Sequence, residues 1–117
     1  MEHKANDLTE RLRAFGADMD GALARFAGDE ALYAECFEML LEDPSFASLD
    51  RLLKSGDFPE ALCAAHALKG VTGNLGLTAL YQAICSLVES LREAEHSDLE
   101  ERYQTLLRER AALEGFR

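Results

Sequence analysis

The residues that build sheets and covalent staples are scarce. Among 117 residues there are two prolines and eight glycines, and no alternating run rich in Val, Ile and Thr occurs. That pattern excludes a sheet-based fold and points to an all-α one. Tryptophan is absent, and cysteine is limited to Cys36, Cys63 and Cys85, an odd and widely spaced set. Inside helical patterns these three exclude a disulfide framework and read as reduced core or near-core residues of a cytoplasmic protein. No apolar stretch reaches the ~18 residues a membrane span needs. The first seven residues, M-E-H-K-A-N-D, lack the apolar centre of a secretory signal. Positive charge is also thin: 12 basic against 22 acidic residues leave a net charge of −10. Such a surface repels nucleic acid and anionic membranes, so neither is expected as a partner.

What remains is an ordinary globular composition, with a length that suits one domain over residues 1–117. Helix punctuation is legible throughout. Asp7 with Glu10 reads as a start signal for a helix stopped at Gly16, and a short segment follows from Asp18 to Phe26, stopped by Gly28. Asp29 is placed to cap a helix carrying Leu32, Tyr33, Cys36, Phe37, Met39 and Leu40 on one face. Asp43-Pro44 then either opens a second helix or kinks the first, because Phe46, Leu49, Leu52 and Leu53 continue the apolar stripe in phase. Gly56 ends that region, and Asp57 with Glu60 reads as a capping box for a helix running to about Gly73. Thr78 is placed to cap the next helix, with Leu80, Tyr81, Ile84, Leu87, Val88 and Leu91 as its seam. Ser97 with Glu100 opens the last, which ends at Gly115. Four longer helical units joined by short turns imply an antiparallel up-down four-helix bundle. Two additional short N-terminal helices are expected to cover one end or side of it.

One stretch, A-A-H-A-L-K-G-V-T-G-N-L-G at residues 64–76, is out of character for a helix. Glycine costs a helix interior about 1 kcal/mol relative to alanine, yet Gly70 and Gly73 follow His66 at one and two turns. Helical phase sets Leu62, Cys63, Lys69, Gly70 and Gly73 on the face of His66. Ala61, Ala64, Ala65, Leu68, Val71, Thr72 and Leu75 form the opposite, core-facing stripe. His66 is therefore turned outward, and the glycines clear side chains from around it so that a backbone or a phosphate can approach. A neutral imidazole is a nucleophile, and an ordinary exposed one is mostly neutral near pH 7. Lys69, a neighbour at i+3, is placed to offset the charge of a phosphoryl group on the ring. No phosphate-binding glycine loop, metal cluster or second histidine accompanies the site in sequence. Any catalytic metal and acid would have to come from a partner.

These residues carry a resemblance. H-A-L-K-G-V-T-G-N-L-G is similar to the signature of histidine phosphotransfer (HPt) domains, H-x-L-K-G followed by small residues and a hydrophobic–glycine pair. The flanking A-R-F-A-G-D-E-A-L-Y and L-G-L-T-A-L-Y resemble the same family, so the likeness runs from Leu23 to Arg92. It implies a four-helix bundle with an exposed phosphohistidine at mid-helix. Such a module passes a phosphoryl group between aspartates of receiver domains in response regulators or hybrid sensor kinases. Carried over, His66 is the phosphoacceptor, Lys69 the phosphate charge partner, and Gly70 and Gly73 the close-approach positions. One departure stands out. Many relatives place a glutamine or glutamate of the following helix toward the ring, and ungapped alignment puts Val88 there, which cannot hydrogen-bond an imidazole. Gln82, Glu89 or water are the remaining candidates to orient the ring. Leu62 and Ala67, with Phe15 and Met19, are the candidate docking surface.

The expectation is thus a monomeric, free-standing, cytoplasmic phosphocarrier, not an enzyme in its own right and needing no cofactor. The main alternative is a degenerate helical adaptor that binds receiver domains without being phosphorylated. A thiol enzyme built on Cys63 and His66 is remote, since no third orienting group accompanies the pair. His3 and His96 do not pair with His66 in sequence.

Overall fold

The computed structural model describes residues 2–93 and 96–117, with side chains from Asn6 onward. All regular elements among the described residues are helices: α1 (Glu2–Phe15), α2 (Met19–Arg25), α3 (Glu30–Leu41), α4 (Pro44–Ser55), α5 (Phe58–Asn74), α6 (Thr78–Arg92) and α7 (Leu99–Glu114). Asp29 and Asp43 cap as their sequence positions suggest, and Asp18 does the same for α2. Asp18, Asp29 and Asp43 accept from the backbone N–H groups of Gly21, Leu32 and Ser45. Residues 29–55 form two helices, which settles the choice the sequence left open. Pro44 disfavours helical backbone at the residue before it, and Asp43 is extended there, with ψ 123°. Arg110 of α7 donates to the Leu41 carbonyl freed by this break, at 2.8 Å. At the far end of α4, Gly56 takes the left-handed conformation (φ 78°) that closes a helix.

Four start signals read differently in the structure. The first helix begins at Glu2 rather than near Asp7, since residues 2–15 contain no glycine or proline to interrupt it. At 14 residues α1 is no short segment. Asp57 sits at the N-cap of α5 but makes no side-chain cap hydrogen bond, because Pro59 removes one of the N–H groups such a cap would bind. Leu77, not Thr78, holds the N-cap position of α6, drawn in because its side chain is buried. Asp98, not Ser97, precedes α7, and its carboxylate is taken up by Ser90 Oγ (3.0 Å) and Arg102 (2.8 Å).

The apolar stripes of α4 to α7 meet in one core in which Leu49, Leu68, Ile84, Leu87 and Leu106 are fully buried. Each such side chain contributes about 2 kcal/mol by leaving water. Bonds from α7 to Ser86 and Ser90 of α6 pair these helices in opposite senses. Tyr103 with Asp50 (2.8 Å) and Arg110 over the Phe46 ring (4.5 Å) do the same for α7 and α4. Helix α5 packs against both α4 and α6.

The first three helices close one end of this bundle; the sequence expectation of two short covering helices omits α3, which it counts with the bundle. Helix α1 lies along α3. Asp18 N–H donates to Gly76 O (2.8 Å), and the buried Tyr33 hydroxyl donates to Leu75 O (2.6 Å). Arg25 donates to the carbonyls of Gly73 and Asn74 at 2.9 and 3.0 Å. Gly76 permits this junction twice over: its φ is 68°, and a Cβ there would lie 2.3 Å from Asp18 O. Met19 is buried in the core (1% exposed), so it is not available as docking surface. Among the described residues, no helix is long and apolar enough to cross a membrane.

Candidate functional site

Helix α5 places the candidate residues. Its buried arc consists of Ala61, Ala65, Leu68 and Thr72, spaced four, three and four residues apart. The small alanines bring neighbouring helices close, and the buried Thr72 hydroxyl is satisfied by its own helix, donating to Leu68 O at 2.8 Å. This arc is narrower than the stripe read from sequence. Val71 lies at its edge and is 37% exposed. The opposite face carries His66 at the middle of the helix, exposed, together with Cys63, Ala67 and Gly70. Cys63 is therefore a surface thiol, not a near-core one, because helical phase sets it opposite the buried arc. Cys36 and Cys85 are half-buried, and all three are free.

The two glycines after His66 prove different. A Cβ on Gly70 would meet nothing within 4 Å, so open space lies one turn from the imidazole. A Cβ on Gly73 would come within 3.1 Å of the Tyr81 ring of α6. The clearance at Gly73 is thus filled from within the molecule rather than left for a partner. Sequence reading missed Tyr81 in this role, although it lies in the L-T-A-L-Y flank. Cys85, one turn further on, pushes the Tyr81 phenol above its ordinary range. The contact also shows which flank of α5 faces α6: the one carrying Gly73 and Lys69.

Continuing that register back along two opposed helices sets Cys85 opposite Lys69 and Val88 opposite His66. Val88 is 3% exposed and belongs to the core. Gln82 is exposed and falls opposite Thr72, beyond Lys69. Glu89 turns to the other side, its carboxylate 3.6 Å from Arg102 of α7. The structure therefore brings neither candidate orienting residue onto the ring. The one imidazole hydrogen bond among the described residues belongs to His96, whose Nδ1–H donates to Ser90 O (2.9 Å) while its ring packs at a tilt against Phe58. Likewise the lysine ion pair among them is that of Lys54 with Asp50, and Lys69, half-buried, keeps its ammonium free of carboxylates.

The candidate docking residues divide. Ala67 is exposed beside His66, whereas Leu62 is half-buried and packed on the core. Phe15 is 44% exposed, but it packs edge-on against Phe116 beyond the end of α7, 5.1 Å between ring centres. The His66 surface is therefore small, weakly charged and open, with one fixed cation a turn away. A neutral imidazole so presented can take up a phosphoryl group from a protein that brings its own acidic and metal chemistry.

With this geometry in view, comparison with known proteins gives one result. A family model described as the Hpt domain matches residues 12–115, nearly the whole chain. No curated protein and no solved structure matches significantly.

Proposed function

Since the chain belongs to the Hpt domain family, whose members carry phosphoryl groups in phosphorelays, we propose that His66 is the phosphoacceptor and Lys69 its charge partner. The reading rests on one observation above all: an exposed imidazole at mid-helix with empty space beside it at Gly70. In the forward step a neutral ring nitrogen attacks the phosphorus of a partner's aspartyl phosphate. The N–P bond forms, the acyl-phosphate O–P bond breaks, and the aspartate leaves as a carboxylate. Transfer onward runs the same exchange in reverse, onto an aspartate of a second receiver domain. Lys69 offsets the added charge in the phosphorylated state. Gly70 lets the partner's backbone come close enough for the reacting atoms to meet. The partner supplies whatever metal and acid the transition state needs.

Incubation with a phosphorylated receiver domain tests this. The wild-type chain takes up an acid-labile, base-stable label, and the His66→Gln variant takes up none. A wild-type chain that binds the receiver and stays unlabelled would instead be the adaptor.

A further inference from the structure

Cys63 precedes His66 by three residues on α5, and both side chains are exposed. On a helix that spacing makes them neighbours, with about 5–6 Å between their Cβ atoms. Phosphotransfer uses the imidazole and leaves the thiol without a task. Cys63 is in no disulfide, and the His66 ring has no hydrogen-bond partner among the described residues. A thiolate and an imidazole so placed can close on one borderline-soft cation, with bonds of about 2.3 Å to sulfur and about 2.0 Å to nitrogen.

Two ligands do not fill a structural zinc site, which is tetrahedral. Among the described residues, no group of three or more His, Cys, Asp and Glu side chains gathers to supply the rest. A second copy of the chain does supply them. A two-fold axis through the metal brings the same Cys63–His66 pair in from the opposite side. Ala67 and Gly70, exposed further along the helix, are small enough for two α5 helices to approach across the ion. A Cβ at Gly70 would meet nothing within 4 Å, so no side chain of the same copy fills that approach.

We propose that Cys63 and His66 bind zinc between two copies of the chain, one Cys–His pair coming from each. Each thiol gives its proton to solvent as its sulfur bonds to the ion, each imidazole binds as the neutral ring, and the ion sheds its waters. Two thiolates cancel the double charge of the ion, so Lys69, a turn away, meets a neutral site. The net charge of −10 on each copy opposes association, so the copies part when the metal is withdrawn. The site does not rest on the phosphotransfer reading. Where both hold, zinc withholds the same imidazole from a phosphoryl donor.

Sedimentation equilibrium in a non-chelating buffer with a phosphine reductant tests the proposal. About half an equivalent of zinc per chain is expected to double the mass, and EDTA to return it to that of one chain. Magnesium, which prefers oxygen ligands, should leave the mass unchanged. Cobalt in place of zinc should give thiolate-to-metal charge-transfer absorption together with the strong visible bands of a tetrahedral ion. Cys63→Ser and His66→Gln alter exposed side chains, so both should keep the wild-type circular dichroism spectrum. Both should nevertheless stay monomeric at the zinc concentration that dimerises wild type, whereas Cys36→Ala should dimerise as wild type does. Four results would overturn the inference: a wild-type chain that stays monomeric with zinc, a dimer that persists in EDTA, a cobalt spectrum without the thiolate band, or equal dimerisation after replacing Cys63 or His66. None of them bears on whether His66 accepts a phosphoryl group.

Discussion

At Gly70 a methyl group would enter open solvent, and at Gly73 it would press on the Tyr81 ring at 3.1 Å. Alanine is a better helix former than glycine, so Gly70→Ala is expected to raise stability by up to about 1 kcal/mol. The same methyl stands where a partner must approach, so transfer should slow. Thermal unfolding and transfer kinetics of one variant read both signs, and a loss of stability would contradict the open space. Lys69→Ala should likewise slow transfer while leaving the unfolding midpoint within about 0.5 kcal/mol of wild type; unchanged transfer would remove its assigned role. The outward turn of His66 was legible because helical phase needs only the spacing of apolar residues around it. Which glycine was free was not, since that depends on where a ring eight residues further on folds back. That no side chain among the described residues hydrogen-bonds the ring was half legible: Val88 announced a missing partner, but the turn of Glu89 toward Arg102 depends on α7.

Helix boundaries were readable where a single residue dictates them and unreadable where tertiary contacts compete. Asp29 and Asp43 cap as their positions suggest, and Asp18 caps too, each reaching a backbone N–H within its own segment. Asp98 instead spends its carboxylate on Ser90 and Arg102, and Leu77 is fixed by burial. The tie of α2 and α3 to the α5–α6 junction has no sequence signal at all. It is carried by Tyr33 of α3, whose hydroxyl reaches Leu75 O across 42 positions of sequence, and by Arg25 of α2 on the neighbouring carbonyls. Burial accordingly pushes the Tyr33 phenol well above its ordinary range. Tyr33→Phe leaves a buried carbonyl unpaired and is expected to cost about 1–2 kcal/mol, a fall of several degrees in Tm. An unchanged Tm would mean that the three N-terminal helices are held without this bond.

Across the whole molecule, α7 is tied to its neighbours through carboxylates. Hydrogen bonds from Ser90 and Arg102 hold the Asp98 carboxyl below its ordinary range, and those from Lys54 and Tyr103 do the same for Asp50. A carboxyl whose pKa is lower in the folded state than in the unfolded chain stabilises the fold fully above the unfolded value of about 3.9. That contribution is lost as pH falls through the lower folded value. Denaturant midpoints should therefore hold between pH 7 and 5 and fall below about pH 4, and Asp98→Asn should make the acid fall shallower. An acid profile unchanged in that variant would show that Asp98 carries no such linkage.

The bundle was legible as a set of amphipathic helices, and the N-terminal cap as two of its three helices, placed only at one end or side. The proposed phosphoacceptor, His66, was legible from one motif, because its outward turn and the cation a turn away follow from local spacing. The account turns on which of three histidines takes the phosphoryl group. Nitrogen-15 NMR of the imidazoles during transfer from a phosphorylated receiver domain reads this directly. The account predicts that the ring nitrogens of His66 change on phosphorylation while those of His3 and His96 stay in place. Phosphorylation signals on His3 or His96, with His66 unchanged, would contradict it.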